Sequence, residues 1–143
     1  MKTAVVYWSG TGHTEAMAQA VAKACGGTLF TAAEFPAAQV ANFDAIAFGC
    51  PAMGAEVLEE GEFQPMFDEC RPLLSGKKIA LFGSYGWGDG EWMRNWETEC
   101  LAAGATLACD SVICQDEPDE QALAAKCAAA DECAMETLTN LGL

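Results

Sequence analysis

Apolar positions follow two rhythms along this chain. Short runs rich in Val, Ile, Phe and Tyr, which favour extended backbone, recur at residues 3–8, 28–31, 44–50, 78–84 and 105–114. Between and after them lie stretches with apolar residues at helical spacing, at 14–25, 62–74, 91–103 and 119–141. Met17, Val21 and Cys25 make one stripe, and Gly26-Gly27 then gives a helix stop. Phe63, Met66, Phe67 and Cys70 make another. Residues 32–42 carry neither rhythm clearly and read as loop or short helix.

Strands such as "AIAFGC" and "IALFGS" are apolar on both faces, as expected of a parallel sheet covered by helices on each side. The alternation of strand and helix therefore predicts an α/β fold, a doubly wound parallel sheet of five strands. In such a sheet ligands bind beyond the carboxyl ends of the strands, where strand order reverses. The segments after strands one, three and four are "SGTGHT", "PAMGAEV" and "YGWGDGEW", all rich in glycine and each carrying large side chains.

Composition narrows the functional classes. With 143 residues the chain suits a single domain, 1–143. Hydrophobic residues make up 52% of it, yet no stretch approaches the roughly 20 uncharged apolar residues of a membrane span. The chain passes from Met1-Lys2 straight into a strand with no secretory pattern, so a cytoplasmic protein is expected. Eight cysteines, none in a Cys-x-x-Cys pair, read as buried thiols of a reducing compartment, and one histidine with wide, irregular cysteine spacings makes a weak case for a metal site, so none is expected. Seven basic against 21 acidic residues give a net charge of −14, which repels nucleic acid and anionic membranes and favours basic protein surfaces. Acidity that serves only solubility would show no clustering beside a site.

The segment from Ser9 to Thr14 carries the first chemistry. Ser9, Thr11 and Thr14 offer hydroxyls, while Gly10 and Gly12 let the backbone turn and bring its N–H groups close to a ligand. A helix N-terminus follows, so the loop reads as an anion cradle. It lacks the Gly-Lys-Ser/Thr ending of a P-loop, and Glu15 stands where a dinucleotide fingerprint needs a third small residue. Capping of the helix by Thr11 or Thr14 is the plainer alternative, and the loop alone leaves both open. With no lysine or arginine, the cradle suits a resident phosphate more than one being transferred.

"VVYWSGTGHTEAMA", "GCPAMGAEVLEE", "SGKKIALFGSYGWGDGEWM" and "QDEPDE" together resemble a short-chain flavodoxin of the clostridial type, from the first strand to the last helix. The resemblance implies a flavodoxin-like sheet of order 2-1-3-4-5, non-covalently bound FMN and one-electron transfer between redox proteins, mainly through the semiquinone and hydroquinone. It places Trp8, Ser9, Gly10, Thr11, Gly12, His13 and Thr14 at the FMN phosphate end, and Pro51, Ala52, Met53, Gly54, Ala55 and Glu56 along the ring. Ser84, Tyr85, Gly86, Trp87, Gly88 and Asp89 complete the implied cofactor-binding set. Met53 and Trp87 would flank the isoalloxazine ring, Glu56 would accept from flavin N3–H, and the backbone from Gly86 to Gly88 would approach N1 and O2. Gly54, in a type II′ turn, would supply the carbonyl that turns toward flavin N5 on reduction. One such bond, about 1 kcal/mol, corresponds to tens of millivolts. The acidic residues Glu56, Glu59, Glu60, Glu62, Asp89, Glu91, Asp116, Glu117, Asp119 and Glu120 would form a rim that disfavours the second electron and orients basic partners.

The chain also departs from that family's pattern. Pro51 stands where relatives commonly carry Ser, His13 where Asn is common, and Ala55 where a polar or charged residue is common. His13 would make FMN binding or potential depend on pH near 6 to 7. Two other functions compete: an FMN-dependent NAD(P)H or quinone reductase, which needs room over the flavin, and a receiver domain, which needs acidic residues where this chain has "WSG" and "CPA". A carrier without catalytic side chains, acting as a monomer, is the expectation.

Overall fold

The computed structural model describes residues 2–10, 12–53, 57–85, 90–107 and 111–115. Strand β1 (Thr3–Tyr7) leads into helix α1 (His13–Cys25), strand β2 (Thr28–Thr31), strand β3 (Ala45–Gly49), helix α2 (Phe63–Cys70), strand β4 (Lys78–Tyr85) and helix α3 (Glu91–Ala102). A last extended stretch comes in two pieces, β5 (Thr106–Leu107) and β6 (Val112–Gln115). Every pairing in the sheet is parallel, in the order β2-β1-β3-β4-β5. Phe82 of β4 faces Gly49 on one side and Val112 on the other, so β6 continues the edge that β5 begins. The five-position doubly wound sheet expected from the apolar pattern is thus present.

Alternation within each strand explains the two layers. Ala4, Val6, Ile46, Phe48, Ile79 and Leu81 point to one face, where α2 and α3 bury Phe63, Phe67, Trp92 and Trp96 among them. Val5, Ala47, Ala80 and Phe82 point to the other, under Met17, Ala18 and Val21 of α1. Both faces of β1 and β3 are buried, which is why these strands read as continuous apolar runs. β2, at the sheet edge, has Thr28 and Leu29 exposed and Phe30 and Thr31 half-buried.

Element ends follow local chemistry. α1 stops at Gly26, in the left-handed region at φ 66°, and the N–H groups of Gly26 and Gly27 both reach the Ala22 carbonyl. α2 tolerates Pro65 because the proline falls in its first turn, where an amide has no helical partner to lose. The expected helix over 62–74 is shorter than its apolar stripe: α2 ends at Cys70 and Pro72 leaves only a 3₁₀ turn, Arg71–Leu73. Residues 32–42 form two 3₁₀ segments, Ala32–Glu34 and Ala37–Asn42, the first held by a Thr31–Glu34 capping box. The expected helix over 119–141 lies outside the described residues. Among the described residues no helix is long and apolar enough to cross a membrane, and no group of three or more His, Cys, Asp or Glu could hold a metal.

Candidate functional site

β1 sits between β2 and β3, so successive connections leave it in opposite directions and a crevice opens at the carboxyl ends of β1 and β3. On the β1 side, Trp8 N–H donates to the Gly49 carbonyl at 3.0 Å, and the chain then turns away. The Trp8 ring lies over Gly10, 3.1 Å from where a Cβ would stand, so the loop is packed rather than splayed. Ser9 Oγ accepts from Gly12 N–H at 3.0 Å. Gly12 takes φ 94° and precedes the first helical residue, with open space where a side chain would project.

Among the described residues no side chain caps α1. Thr14 does not cap it: this hydroxyl is buried and lies 3.0 Å from Ser84 Oγ on β4, itself 4% exposed. The first-turn amides therefore face the crevice beside the Ser9 hydroxyl, with the positive end of the helix dipole behind them. First-turn amides that no described side chain caps, behind a left-handed glycine, with the Ser9 and Thr14 hydroxyls nearby and no lysine or arginine in residues 9–14, fit a phosphate ester that stays bound. His13 enters this account only as the first residue of α1.

The β3 side is held more tightly. Cys50 N–H donates to the Phe82 carbonyl at 3.1 Å and Ala52 N–H to the Ser84 carbonyl at 2.9 Å, so the ladder to β4 continues beyond β3. Pro51 falls between these donors, and its missing N–H takes nothing from that ladder. The backbone of Met53 then exchanges two hydrogen bonds with Val57, at 2.9 and 3.1 Å, which pairs the two legs of a hairpin. Pro51, Ala52 and Met53 are half-buried along its entering leg.

Beneath the hairpin lies a dense knot of contacts. Gly83 has no room for a side chain, since a Cβ there would overlap the Cys50 carbonyl and come within 3.3 Å of the Trp92 ring. Trp92 Nε1 donates to that same Cys50 carbonyl at 3.2 Å, and Tyr85 tilts against the Trp92 ring with centroids 5.4 Å apart. The Cys50 sulfur receives the Glu59 N–H at 3.3 Å. Burial pushes the Cys50 thiol up to about 12, further aided by the Glu59 charge and opposed by that N–H, so it remains a neutral thiol.

Glu59 corrects one expectation. Four glutamates in seven residues suggested a solvated rim, but Glu59 is buried and its carboxylate accepts from the backbone N–H groups of Gly61, Glu62 and Phe63, the last two at 2.8 Å. Burial raises its pKa, and the three amides together outweigh that and hold it below the ordinary glutamate value. It acts as the cap of α2. Glu60, Glu62 and Glu91 are exposed, as a rim requires.

The described residues bring Trp8, Ser9, Gly10, Gly12, Thr14, Pro51, Ala52, Met53, Ser84 and Tyr85 to one edge of the sheet. Thr11, Gly54, Ala55, Glu56, Gly86, Trp87, Gly88 and Asp89 lie outside them, as do Asp116, Glu117, Asp119 and Glu120. Sequence reasoning missed the roles of Glu59, Cys50 and Trp92. The available signal for Glu59 was a glutamate four residues before Phe63, where an apolar helical stripe begins, but its acidic neighbours concealed it.

Comparison with known proteins agrees with this arrangement. Residues 5–129 match the flavodoxin family model. The chain is similar to a flavodoxin of Clostridium beijerinckii, 47% identical over 121 residues that cover 81% of this chain and 88% of that one. It is 45% identical over 120 residues to a flavodoxin of Megasphaera elsdenii, covering 80% and 87%. The solution structure of the two-electron reduced M. elsdenii flavodoxin superposes with a TM-score of 0.81 over 92% of this chain and 97% of that one, at 41% identity. Flavodoxins bind FMN and pass electrons to redox partner proteins without catalysing a reaction of their own. The sheet order, the match across most of the chain and the two close relatives together place this chain in the flavodoxin family.

Proposed function

We propose that this chain is a single FMN-binding domain, 1–143, working as a low-potential one-electron carrier between the half-reduced and fully reduced flavin. FMN supplies a ring that accepts electrons singly. The phosphate would lie on the first-turn amides of α1, with Ser9, Thr11 and Thr14 donating hydroxyl hydrogens. Ser84 O–H can donate to Thr14 Oγ, which frees the Thr14 hydrogen to point into the crevice. Met53 and Trp87 would shield the ring, Glu56 would accept from its N3–H, and the 53–57 hairpin would offer a carbonyl toward N5. Exposed acidic residues would orient basic redox proteins, with the carrier acting as a cytoplasmic monomer.

One observation carries the reading: the first-turn amides of α1, which no described side chain caps, lie with the Thr14–Ser84 hydroxyl pair and the Met53–Val57 bridge at the switch point of the sheet. The test is anaerobic stepwise reduction of the FMN-loaded protein, followed by visible absorption, with NAD(P)H alone offered in parallel. A long-wavelength band of half-reduced flavin, with no bleaching by NAD(P)H, is expected. Direct two-electron bleaching by NAD(P)H without that band would overturn the carrier in favour of a reductase.

A further inference from the structure

The returning leg of the hairpin is fastened more firmly than a surface loop needs. Val57 is bonded to Met53, and Leu58 beside it is buried. Glu59 then engages on three sides. Its N–H reaches the Cys50 sulfur at 3.3 Å, its carbonyl accepts from Gln64 N–H at 2.8 Å, and its carboxylate gathers the amides of Gly61, Glu62 and Phe63. Cys50 is in turn bonded to Phe82 and Trp92. A side chain two residues from the hairpin thus joins it to the start of α2 and, through Cys50, to β4.

We propose that Glu59 is a positioning residue of the redox site: by capping α2 it holds the returning leg of the 53–57 hairpin, and so governs how well that turn meets the flavin at N5. The inference rests on the carrier reading above. It separates from a plain electrostatic role by sign. Under the carrier reading the first electron would arrive with a proton, the flavin would gain no net charge, and a lost carboxylate would hardly affect that step. The second leaves a net negative charge, so removing any nearby carboxylate eases it.

The experiment compares both one-electron potentials at pH 7 in the FMN-loaded wild type, Glu59→Gln, Glu59→Asp and Glu60→Gln. Glu60 is exposed and adjacent, so Glu60→Gln removes the same charge without touching the cap. Glu59→Gln is expected to lower the equilibrium constant for the first electron about tenfold, or about 59 mV, whereas Glu60→Gln leaves that step within twofold and raises only the second. Glu59→Asp keeps the charge but shortens the reach, and gives the same loss in the first step even if Glu59→Gln fails to fold. A first step unchanged in every folded Glu59 variant, alongside a wild type that reduces in two steps, would overturn the positioning role and leave the carrier reading standing. A wild type that never shows two steps would overturn both.

Discussion

Two glycines show how differently the same residue is required. At Gly12 a Cβ would meet nothing within 4 Å, so the demand is purely conformational: φ 94° is a region L side chains avoid. Gly12→Ala should cost roughly 1–2 kcal/mol of stability from the left-handed backbone alone, and Gly12→Asn should recover part of it, because asparagine tolerates that region. Gly83 has no such conformation, and its demand is steric. A Cβ there would overlap the Cys50 carbonyl, which belongs to laddered backbone and cannot yield as a flexible side-chain tip would. Gly83→Ala should therefore cost about 1–3 kcal/mol or more and weaken the Trp92–Cys50 bond, which urea denaturation with tryptophan emission would register together. If Gly83→Ala proves as stable as the wild type, the approach of β4 to Cys50 is looser than described. The sequence made Gly12 legible, since a glycine before an apolar helix after a strand is a local signal. Gly83 was not, because its reason is the carbonyl of Cys50, just past the end of β3 and 33 positions away in the chain.

At the scale of elements, the apolar rhythm located each described strand, the last as one run where there are two pieces, and each of the first three helices, and erred where main-chain hydrogen bonding outweighs side-chain pattern. Leu74 continues the stripe of α2 and is buried, yet it lies beyond the helix because Pro72 cannot sustain the amide ladder. The edge strand was expected as one run over 105–114. Its two pieces take five steps from Leu107 to Val112 where β4 takes three from Ile79 to Phe82, a mismatch that no single-strand periodicity encodes. The start of α2 makes a pH prediction. The folded pKa of Glu59 is depressed, so its stabilisation is fully present above the unfolded glutamate value, about 4.3, and is lost as pH falls through the lower folded value. Glu59→Gln should thus be less stable than the wild type by roughly 1–2 kcal/mol at pH 7, and the gap should close as pH falls toward 3. Exposed Glu60 and Glu62 are common to both proteins, and the Cys50 thiol, pushed up to about 12 by burial, stays neutral throughout this range. Thermal unfolding of the pair from pH 7 to 3 checks this, and a gap constant with pH would mean that the cap does not depend on the ionised carboxylate.

Across the whole molecule, charge is sorted by the same topology that makes the crevice. In a parallel sheet every strand begins at one edge and ends at the other, so the start of each strand and the end of each helix lie opposite the site. Lys2 precedes β1, Lys77 and Lys78 open β4, Lys23 lies in the last turn of α1, and Arg71 follows α2. Five of the seven basic residues in the chain therefore stand at the far edge, while the exposed Glu60, Glu62 and Glu91 stand near the crevice. At the far edge Asp68 and Glu99 lie beside Arg71, and Asp44 beside Lys2, so among the described residues acid and base are mixed there while the exposed side chains named at the crevice are all acidic. Such a field raises the rate of productive encounter with a basic partner and is screened by salt, because the Debye length falls from about 10 Å at 0.1 M to about 3 Å at 1 M. The second-order rate of electron transfer from the reduced protein to a basic haem protein, measured by stopped flow, should fall at least about tenfold over that range, while transfer to a neutral acceptor changes little. Replacing Glu60, Glu62 and Glu91 with glutamine should flatten the salt dependence, whereas replacing the same number of acidic residues at the far edge should leave its slope nearly intact. Equal effects from the two sets would mean that total charge, rather than its placement by the fold, governs the encounter.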